Sequence, residues 1–295
     1  MGVQLDNTER LKRIQQYINA MPSLSTTANK VLQVCNGPNT SANDLNKVIS
    51  LDPVLTGQVL KLINSAYYSL SNKITSVTRA IVVLGLNTIK NLALSSAILD
   101  GLSKQDKSAL SMDLFWSHSL CAGVMAKSLA GLKRIPSSVQ EEFFIAGLLH
   151  DLGKIPLSNC FPIHYGKMLE ILQIKKTPLV LAEKKIFGLN HCEAGKMIVE
   201  KWRLSEQIID VLEHHHDPGN AKKDNQFLVS SVAVGNFYSY FAEIGNAGDI
   251  RVEPYSIENT LQIAGFEWNE ISELDEQIKE AIEKAHIFLQ MGKGD

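Results

Sequence analysis

Apolar residues along this chain recur three and four positions apart, and polar capping residues stand before most of these stretches. Leu11, Ile14 and Ile18 share one face of a predicted first helix. Residues 41–44 have the form of a capping box, and Asp52-Pro53 places a capping residue directly before a proline at the first helical position. The strict alternation that is typical of half-buried strands is almost absent. The pattern therefore predicts an all-α protein.

The predicted helices change in length near residue 102. They are short up to about Gly101 and longer from Met112 onwards, and the segment between is rich in Ser, Lys and Asp. A chain of 295 residues exceeds the usual size of one domain. We therefore expect two packed helical units, an N-terminal multi-helix bundle over residues 1–102 and a second helical unit over residues 108–295.

Charge and composition narrow the choice of partners. With 29 Lys and Arg against 31 Asp and Glu, the formal net charge is −2, so the chain lacks the positive excess that binding to nucleic acid phosphates draws on. The helix pair around residues 85–87 could pass for a helix-turn-helix, yet residues 88–94 carry one cation and are mostly apolar, which favours a packed hairpin. DNA is not expected as a partner.

No feature of the sequence points to a membrane or to export. The most apolar stretch, residues 81–99, is interrupted by Asn87, Lys90 and Asn91, so it falls short of a spanning helix. The amino terminus lacks an apolar signal core, and the 4 cysteines are scattered without a C-x-x-C pair. We expect a cytoplasmic protein with reduced thiols.

The histidines carry most of the candidate chemistry. His118 shares a helical face with apolar residues, and His150-Asp151 follows a hydrophobic helix, so imidazole and carboxylate groups are expected in the interior. Such groups together suit iron, manganese, nickel or zinc, and helical bundles place these ligands in their cores. The alternative is that each imidazole is satisfied by a hydrogen bond and binds nothing. The residues alone leave both interpretations open.

Several separated blocks resemble a known family. Residues 147–154, GLLHDLGK, resemble the signature of the HD superfamily, whose members are often metal-dependent phosphohydrolases. Four earlier blocks resemble the HDOD family, the HD-related output domain of bacterial signalling proteins: Met21–Leu24, Val48–Thr56, Val59–Tyr68 and Ala80–Gly85. The resemblance covers most of the chain, and it implies that the second unit is HD-like.

The resemblance also implies a set of candidate metal ligands. They are His118, His150, Asp151, His191, and His214 or His215. The final ligand, usually Asp, falls at Asn236, where an uncharged amide is a weaker ligand than a carboxylate. Residues 217–219 read Asp-Pro-Gly where cyclic-dinucleotide-degrading relatives carry Gly-Tyr-Pro, so that reaction is not expected.

Lys154 has two interpretations. In an HD enzyme it could neutralise phosphate charge near a metal. It could instead be a solvated lysine at a helix C-terminus, where the helix dipole favours positive charge. We favour the solvated lysine unless a metal is found.

Two functions follow. HDOD domains look like relatives of HD enzymes that are used for regulation and protein contact more than for catalysis. The leading hypothesis is therefore a stand-alone output module of signal transduction. It would bind a signalling protein of unknown identity, with a degenerate HD-type site, and a homodimer is left open. The alternative is a metal-dependent phosphohydrolase acting on a nucleotide or phosphodiester, with Asp151 as metal ligand and Lys154 beside the phosphate. Asn236 favours the regulatory module, so turnover is not expected.

Overall fold

A computed structural model describes residues 6–21, 24–35, 37, 40–102, 108–175, 177–249 and 254–291. Within these ranges the regular elements are all helices, which confirms the all-α prediction. None of the helices in the described part of the chain has the length and apolar character needed to cross a membrane. The amino-terminal residues 1–5, residues 22–23 of the first family block, and residues 103–107 of the expected linker lie outside the described residues.

The first helices of the chain, up to the expected linker, are α1 (Asn7–Ala20), α2 (Thr26–Cys35), α3 (Ala42–Ile49), α4 (Pro53–Ile63), α5 (Val77–Leu84) and α6 (Leu86–Leu102). The next group is α7 (Met112–Leu132), α8 (Ser137–Leu149), α9 (Lys154–Cys160), α10 (Pro162–Lys175), α11 (Leu179–Phe187), α12 (His191–Lys201) and α13 (Glu206–His214). Two 3-10 turns, Pro218–Asn220 and Lys223–Asn225, precede α14 (Gln226–Phe241), α15 (Pro254–Ala264), α16 (Trp268–Glu273), α17 (Asp275–Ala285) and α18 (Ile287–Met291).

Contacts divide the chain into two compact units, and neither is continuous in sequence. Unit 1 comprises Met1–Met21, Asp106–Ala126 and Ala146–Glu273, and unit 2 comprises Pro22–Gln105, Lys127–Ile145 and Leu274–Asp295. The chain passes from unit 2 to unit 1 at residues 105–106, within the expected linker. By contacts, however, α1 belongs to unit 1, and α17 and α18 belong to unit 2. That residues 1–102 and 108–295 are separate subdomains stays a prediction.

In unit 1, α1 is bound to residues far along the chain. Arg10 donates a hydrogen bond to the carbonyl of Ile186 at 2.6 Å. The Lys201 ammonium donates to carbonyls at the C-terminal end of α1, those of Ile18, Asn19 and Met21, at 2.8–2.9 Å. A cation at this end binds the carbonyls of the last turn and interacts favourably with the negative end of the helix dipole.

A pair of glycines sets the spacing of α7 and α8 in unit 1. A Cβ atom added at Gly147 would lie 2.5 Å from the backbone of Gly123, which is far too close for any side chain. The two helix backbones can therefore approach this closely only because position 147 is glycine. His150 follows Gly147 by three residues and His118 precedes Gly123 by five, so this contact sets the distance between the two imidazoles.

Unit 2 confirms the local capping predicted from the sequence. Ser41 accepts a hydrogen bond from the backbone N–H of Asp44 at 3.2 Å, and α4 begins with Asp52 as N-cap and Pro53 at its first position. Helix α6 packs against α5 with residues 88, 89 and 91–94 buried, which confirms a packed hairpin.

One partly buried ion pair in unit 2 lies among aromatic rings. The Lys127 ammonium is 2.6 Å from Glu141 Oε1 and 4.5 Å from the centroid of the Tyr67 ring. The Tyr68 hydroxyl lies 3.4 Å from the same Glu141 oxygen. Burial, the largest effect, raises the pKa of Tyr67 to about 12. The contacts join a cation, a carboxylate and two aromatic faces, an arrangement that stabilises a packed core.

Candidate metal centre

The buried carboxylate of Asp151 lies at the centre of a group of imidazoles in unit 1. Four Nε2 atoms approach its two oxygens: His118 at 3.2 Å and His150 at 3.3 Å from Oδ2, His191 at 3.5 Å and His215 at 3.6 Å from Oδ1. All five side chains are buried. The structure thus brings together five of the residues that the sequence analysis singled out.

In each imidazole the other ring nitrogen, Nδ1, has its own partner. These partners are the Gly147 carbonyl for His150 at 2.7 Å, the Val211 carbonyl for His215 at 3.1 Å, Glu183 for His191 at 2.6 Å, and the Ser239 hydroxyl for His118. A carbonyl can only accept, so Nδ1 carries the proton in His150 and His215, and their Nε2 lone pairs are directed at the cluster. Rings oriented in this way are typical of metal-binding histidines.

A capping box positions His191. Asn190 Oδ1 accepts from the Glu193 N–H at 3.0 Å, and Glu193 Oε2 accepts from the Asn190 N–H at 2.9 Å. His191 is therefore the first residue of α12, where its backbone N–H has no partner within the helix. That N–H donates to buried Glu183 at 2.8 Å, and the same Glu183 oxygen holds Nδ1 of the ring.

Three ligand atoms form a nearly equilateral triangle. The distances are 3.3 Å from His118 Nε2 to His150 Nε2, and 3.2 and 3.3 Å from these two atoms to Asp151 Oδ2. Nitrogen and oxygen ligands lie about 2.0–2.2 Å from a transition metal, so neighbouring ligands are roughly 3.0–3.5 Å apart. The triangle has the size and the composition of a two-histidine, one-carboxylate facial set.

A second group of potential ligands lies beside the triangle. It contains His191, Cys192, His215 and His216, and the Nε2 atoms of His191 and His216 are 2.9 Å apart. Among the described residues, Asp151 Oδ1 and His215 Nε2 are buried without a hydrogen-bond partner. Buried polar atoms that lack a partner are costly. The atoms present therefore fit a divalent transition metal.

The protonation of the cluster follows from burial and from Glu183. Burial lowers the pKa of His215 to about 4, and burial together with His215 and His191 holds the pKa of His216 well below its usual value. Burial also lowers the pKa of His118. Burial alone would lower the pKa of His191, but the Glu183 carboxylate raises it well above its usual value.

The interpretation of Lys154 as a solvated lysine is wrong. Its side chain is fully buried, and its ammonium lies 2.7 Å from Asp151 Oδ2 and forms a second ion pair with Asp249. The reason is local: α8 ends at Leu149, the chain turns through residues 150–153, and Lys154 begins the buried helix α9. The lysine thus starts a helix in the interior, whereas the sequence analysis placed it at the exposed end of one.

Two expected ligands lie elsewhere. His214 points away from the cluster, with Nε2 3.7 Å from Asp210 and about a quarter of its side chain exposed. The next-but-one residue, His216, takes part in the cluster instead. Asn236 is buried on α14 and lines a cavity beside His118 and His216, where it offers an amide and no charge.

The sequence analysis missed four side chains of this region: Glu183, His216, Ser239 and Asp249. Of these, only His216 could have been suspected from the sequence, because it belongs to a run of three histidines. The sequence alone cannot tell which imidazoles of such a run point into the interior. Glu183 stands in a charged and apolar helix that reads as half-exposed. Asp249 lies in a loop, where an acid is ordinarily solvated.

A cavity of about 430 Å³ opens beside the cluster. Aromatic side chains contribute to its wall, those of Phe237, Tyr240 and Phe241. Among the described residues that line it, the carboxylates are Glu243 and Asp249, and no Lys or Arg is present. The wall is therefore aromatic and acidic, which disfavours an anionic ligand.

Known proteins resemble this chain in fold and in sequence. A crystal structure of an HDOD domain protein with unknown function from Geobacter sulfurreducens is 27% identical, with a TM-score of 0.75, and covers 96% of this chain and 99% of its own. A candidate phosphohydrolase from Shewanella amazonensis SB2B is 19% identical, with a TM-score of 0.72 and coverage of 95% and 98%, so it supports the fold alone.

Sequence comparison identifies the family. An uncharacterized protein of Treponema pallidum (strain Nichols) is 24% identical over 241 residues, 82% of this chain, and the chain spans only 46% of that protein. The sequence pattern of the HDOD domain matches residues 21–218, which is well over half of the chain and confirms the resemblance seen in the motifs. The chain belongs to the HDOD domain family.

Proposed function

We propose that this chain is an output module of bacterial signal transduction that acts by contact with a signalling protein, and that its HD-type site has a structural role. Membership of the HDOD family supports the proposal, because the resemblance implies regulation more than turnover. DNA and membranes are not among the proposed partners, a homodimer is left open, and the proposed compartment is the cytoplasm.

The charge around the site carries this proposal. A phosphate ester entering the cavity would meet the carboxylates of Glu243 and Asp249 on its wall. Lys154, the buried lysine beside the ligands, is already paired with Asp151 and Asp249. Asn236 adds no charge that would retain a metal. On the described part of the cavity wall, the Glu243 carboxylate would therefore face an anionic substrate without a lysine or arginine to offset its charge.

Exposed apolar side chains support a role in protein contact. In unit 2, three apolar side chains are 68–75% exposed: Leu51 in the turn between α3 and α4, Val54 on α4 and Val82 on α5. Large apolar side chains grouped on a surface are typical of protein interaction sites.

A phosphohydrolase is the second candidate, and the ligand triangle favours it. His118, His150 and Asp151 would hold a metal, which when bound would supply a water of lowered pKa for attack on phosphorus. In that enzyme Glu183 would fix the orientation of the His191 ring. The positive charge of the metal would have to offset the repulsion between the acidic cavity wall and the phosphate ester.

An activity assay separates the two candidates. The protein is purified without chelator, its metal content is measured, and it is assayed on cyclic dinucleotides, nucleoside phosphates and a generic phosphodiester with Mn²⁺, Fe²⁺ and Ni²⁺. We expect no turnover above that of Asp151→Ala. Asp224→Asn, an exposed acid of the same unit, is the matched control. Turnover at or above about 1 per second that disappears in Asp151→Ala would establish the enzyme and refute the regulatory proposal.

A further inference from the structure

The cluster already contains a cation of its own. The Lys154 ammonium lies 2.7 Å from Asp151 Oδ2, which is the oxygen that completes the triangle with His118 and His150. Burial would lower the pKa of this lysine, but Asp151 and Asp249 raise it above its usual value, so it is charged. The ligand oxygen of the triangle is thus occupied by an internal positive charge.

Asp249 reaches this lysine from a loop that is fixed to α7. Gly245, with φ of +71°, lies so close to α7 that an added Cβ atom would be 2.2 Å from the backbone nitrogen of His118. The Asn246 N–H donates to the Leu114 carbonyl at 2.9 Å. The Gly248 N–H donates to Asn246 Oδ1 at 2.7 Å. The loop is therefore anchored on the helix turn that carries His118, and this anchoring holds the Asp249 carboxylate beside the buried ammonium.

We propose that Lys154 and Asp249 form an internal counter-ion pair that competes with a divalent cation for Asp151. In the metal-free protein the ammonium bridges both carboxylates. When a cation binds to the triangle, the ammonium leaves Asp151 Oδ2 and keeps Asp249 as its sole partner. The inference rests on the proposal that this is an HD-type site, whose ligand atoms fit a metal ion.

Charge explains why the pair is needed. A divalent cation and an ammonium on the same carboxylate oxygen repel each other strongly in a buried site. Without another partner the displaced ammonium would be left buried and unpaired, which is costly. Asp249 provides that partner at the edge of the cavity, where its side chain is 15% exposed and the charge is partly hydrated. Asp249 is therefore a positioning residue, which acts on the metal through Lys154.

A double-mutant cycle tests this route. The variants are Lys154→Met, Asp249→Asn and the double variant, with Asp224→Asn as the control for loss of an acid. The affinities for Mn²⁺ and Zn²⁺ are measured by calorimetry after treatment with chelator, and the rise in Tm caused by each metal is measured in parallel. These readouts do not depend on catalytic activity.

The expected pattern has three parts. Lys154→Met binds metal at least about tenfold more tightly, because the competing cation is gone. Asp249→Asn binds at least about tenfold more weakly, because the ammonium remains on Asp151. In the Lys154→Met background, Asp249→Asn changes the affinity by less than about threefold, since the two residues act as one unit.

Other results would overturn the inference. A metal affinity that is unchanged or lower in Lys154→Met would show that the lysine does not compete with the metal. If Asp249→Asn weakens metal binding equally with Lys154 and with Met at position 154, Asp249 is a direct metal ligand. If Lys154→Met folds only with metal, the inference is supported. If it folds under neither condition, Asp249→Asn decides, and an affinity equal to that of Asp224→Asn refutes the inference.

The same experiment separates this inference from the proposed function. Metal binding by Lys154→Met but not by the natural protein would refute a resident metal while supporting the competition. Binding by neither protein would refute both. Binding by the natural protein with no gain in Lys154→Met would refute the competition alone.

Discussion

Each unit of this protein contains a lysine paired with a buried carboxylate, and the two pairs have nearly the same length. Lys127 and Glu141 in unit 2 are 2.6 Å apart, and Lys154 and Asp151 in unit 1 are 2.7 Å apart. The surroundings differ. The first pair lies against the ring of Tyr67, whereas the second lies among imidazoles whose Nε2 atoms converge on it.

The comparison shows which observation distinguishes a candidate metal site from an ordinary buried ion pair. Glu141 Oε2 and Asp151 Oδ1 are both buried without a hydrogen-bond partner, so an unsatisfied oxygen alone does not mark a metal site. The groups of potential ligands found among the described residues include Asp151 but not Glu141. Lys127 also keeps 22% of its side chain exposed, whereas Lys154 keeps none. Converging imidazoles, and not the ion pair, distinguish the candidate site.

The largest expected difference is in stability after loss of the carboxylate. Asp151→Ala should lower the free energy of unfolding by about 3–5 kcal/mol, because it leaves a fully buried ammonium without one of its two carboxylate partners. Glu141→Ala should cost about 1–3 kcal/mol, since Lys127 can reach water. Urea unfolding of chelator-treated protein at pH 7.5 measures both. Equal losses would show that the two pairs are energetically alike.

Acid should affect unit 1 through His215. Its imidazole takes up a proton near pH 6.5 in the unfolded chain but only at about pH 4 in the folded protein. The stability that the neutral ring contributes is complete above pH 6.5 and is lost as the pH falls to about 4, by roughly 3 kcal/mol. His215→Asn should remove this component. Unfolding curves between pH 7 and 4 that remain parallel for the two proteins would contradict the assignment.

Alkali should affect unit 2 through Tyr67. Its hydroxyl ionises near pH 10 in the unfolded chain and at about pH 12 in the folded protein. Stability is therefore complete below pH 10 and is lost as the pH rises to about 12, by roughly 2–3 kcal/mol. Tyr67→Phe should be less sensitive over this range, as measured by urea unfolding at pH 9 to 12. If Tyr67→Phe loses stability with rising pH as steeply as the natural protein, the effect comes from Lys127, whose pKa is also raised to about 12.

The smallest expected effect concerns the run of three histidines. His214→Asn should change the affinity for Mn²⁺ by less than about twofold, whereas His216→Asn should lower it by about tenfold. Calorimetry on chelator-treated protein compares the two variants. A reversed order would mean that the ring of His214 turns inward when metal binds.

Much of the fold follows from local sequence, because caps involve residues only three positions apart. The boxes at residues 41–44 and 190–193 could be recognised for that reason. Helices α9 and α10 were not predicted. In α9 almost every residue from Lys154 to Cys160 is buried, so the contrast between a polar and an apolar face is missing. The division into units depends on contacts between distant segments, which no local pattern reveals.

The candidate site, too, could be predicted only in part from the sequence. The family resemblance identified Asp151 and four imidazoles that lie around it, since the motifs contain them directly. It did not reveal that Lys154 is buried, because this depends on a turn between α8 and α9. Asp249 is brought to the lysine by a loop anchored on α7, and its position is set by tertiary contacts alone.

The contact between α1 and Lys201 has a consequence for folding during synthesis. The carbonyls that this ammonium binds precede it by 180 to 183 residues. At about 5–20 residues per second, the ribosome needs roughly ten to forty seconds to add those residues. Throughout that interval α1 has been made but lacks its binding site, while α2 to α6 can already pack together. The order of synthesis thus favours completion of the helices of residues 24–102 before the first helix of the chain reaches its place.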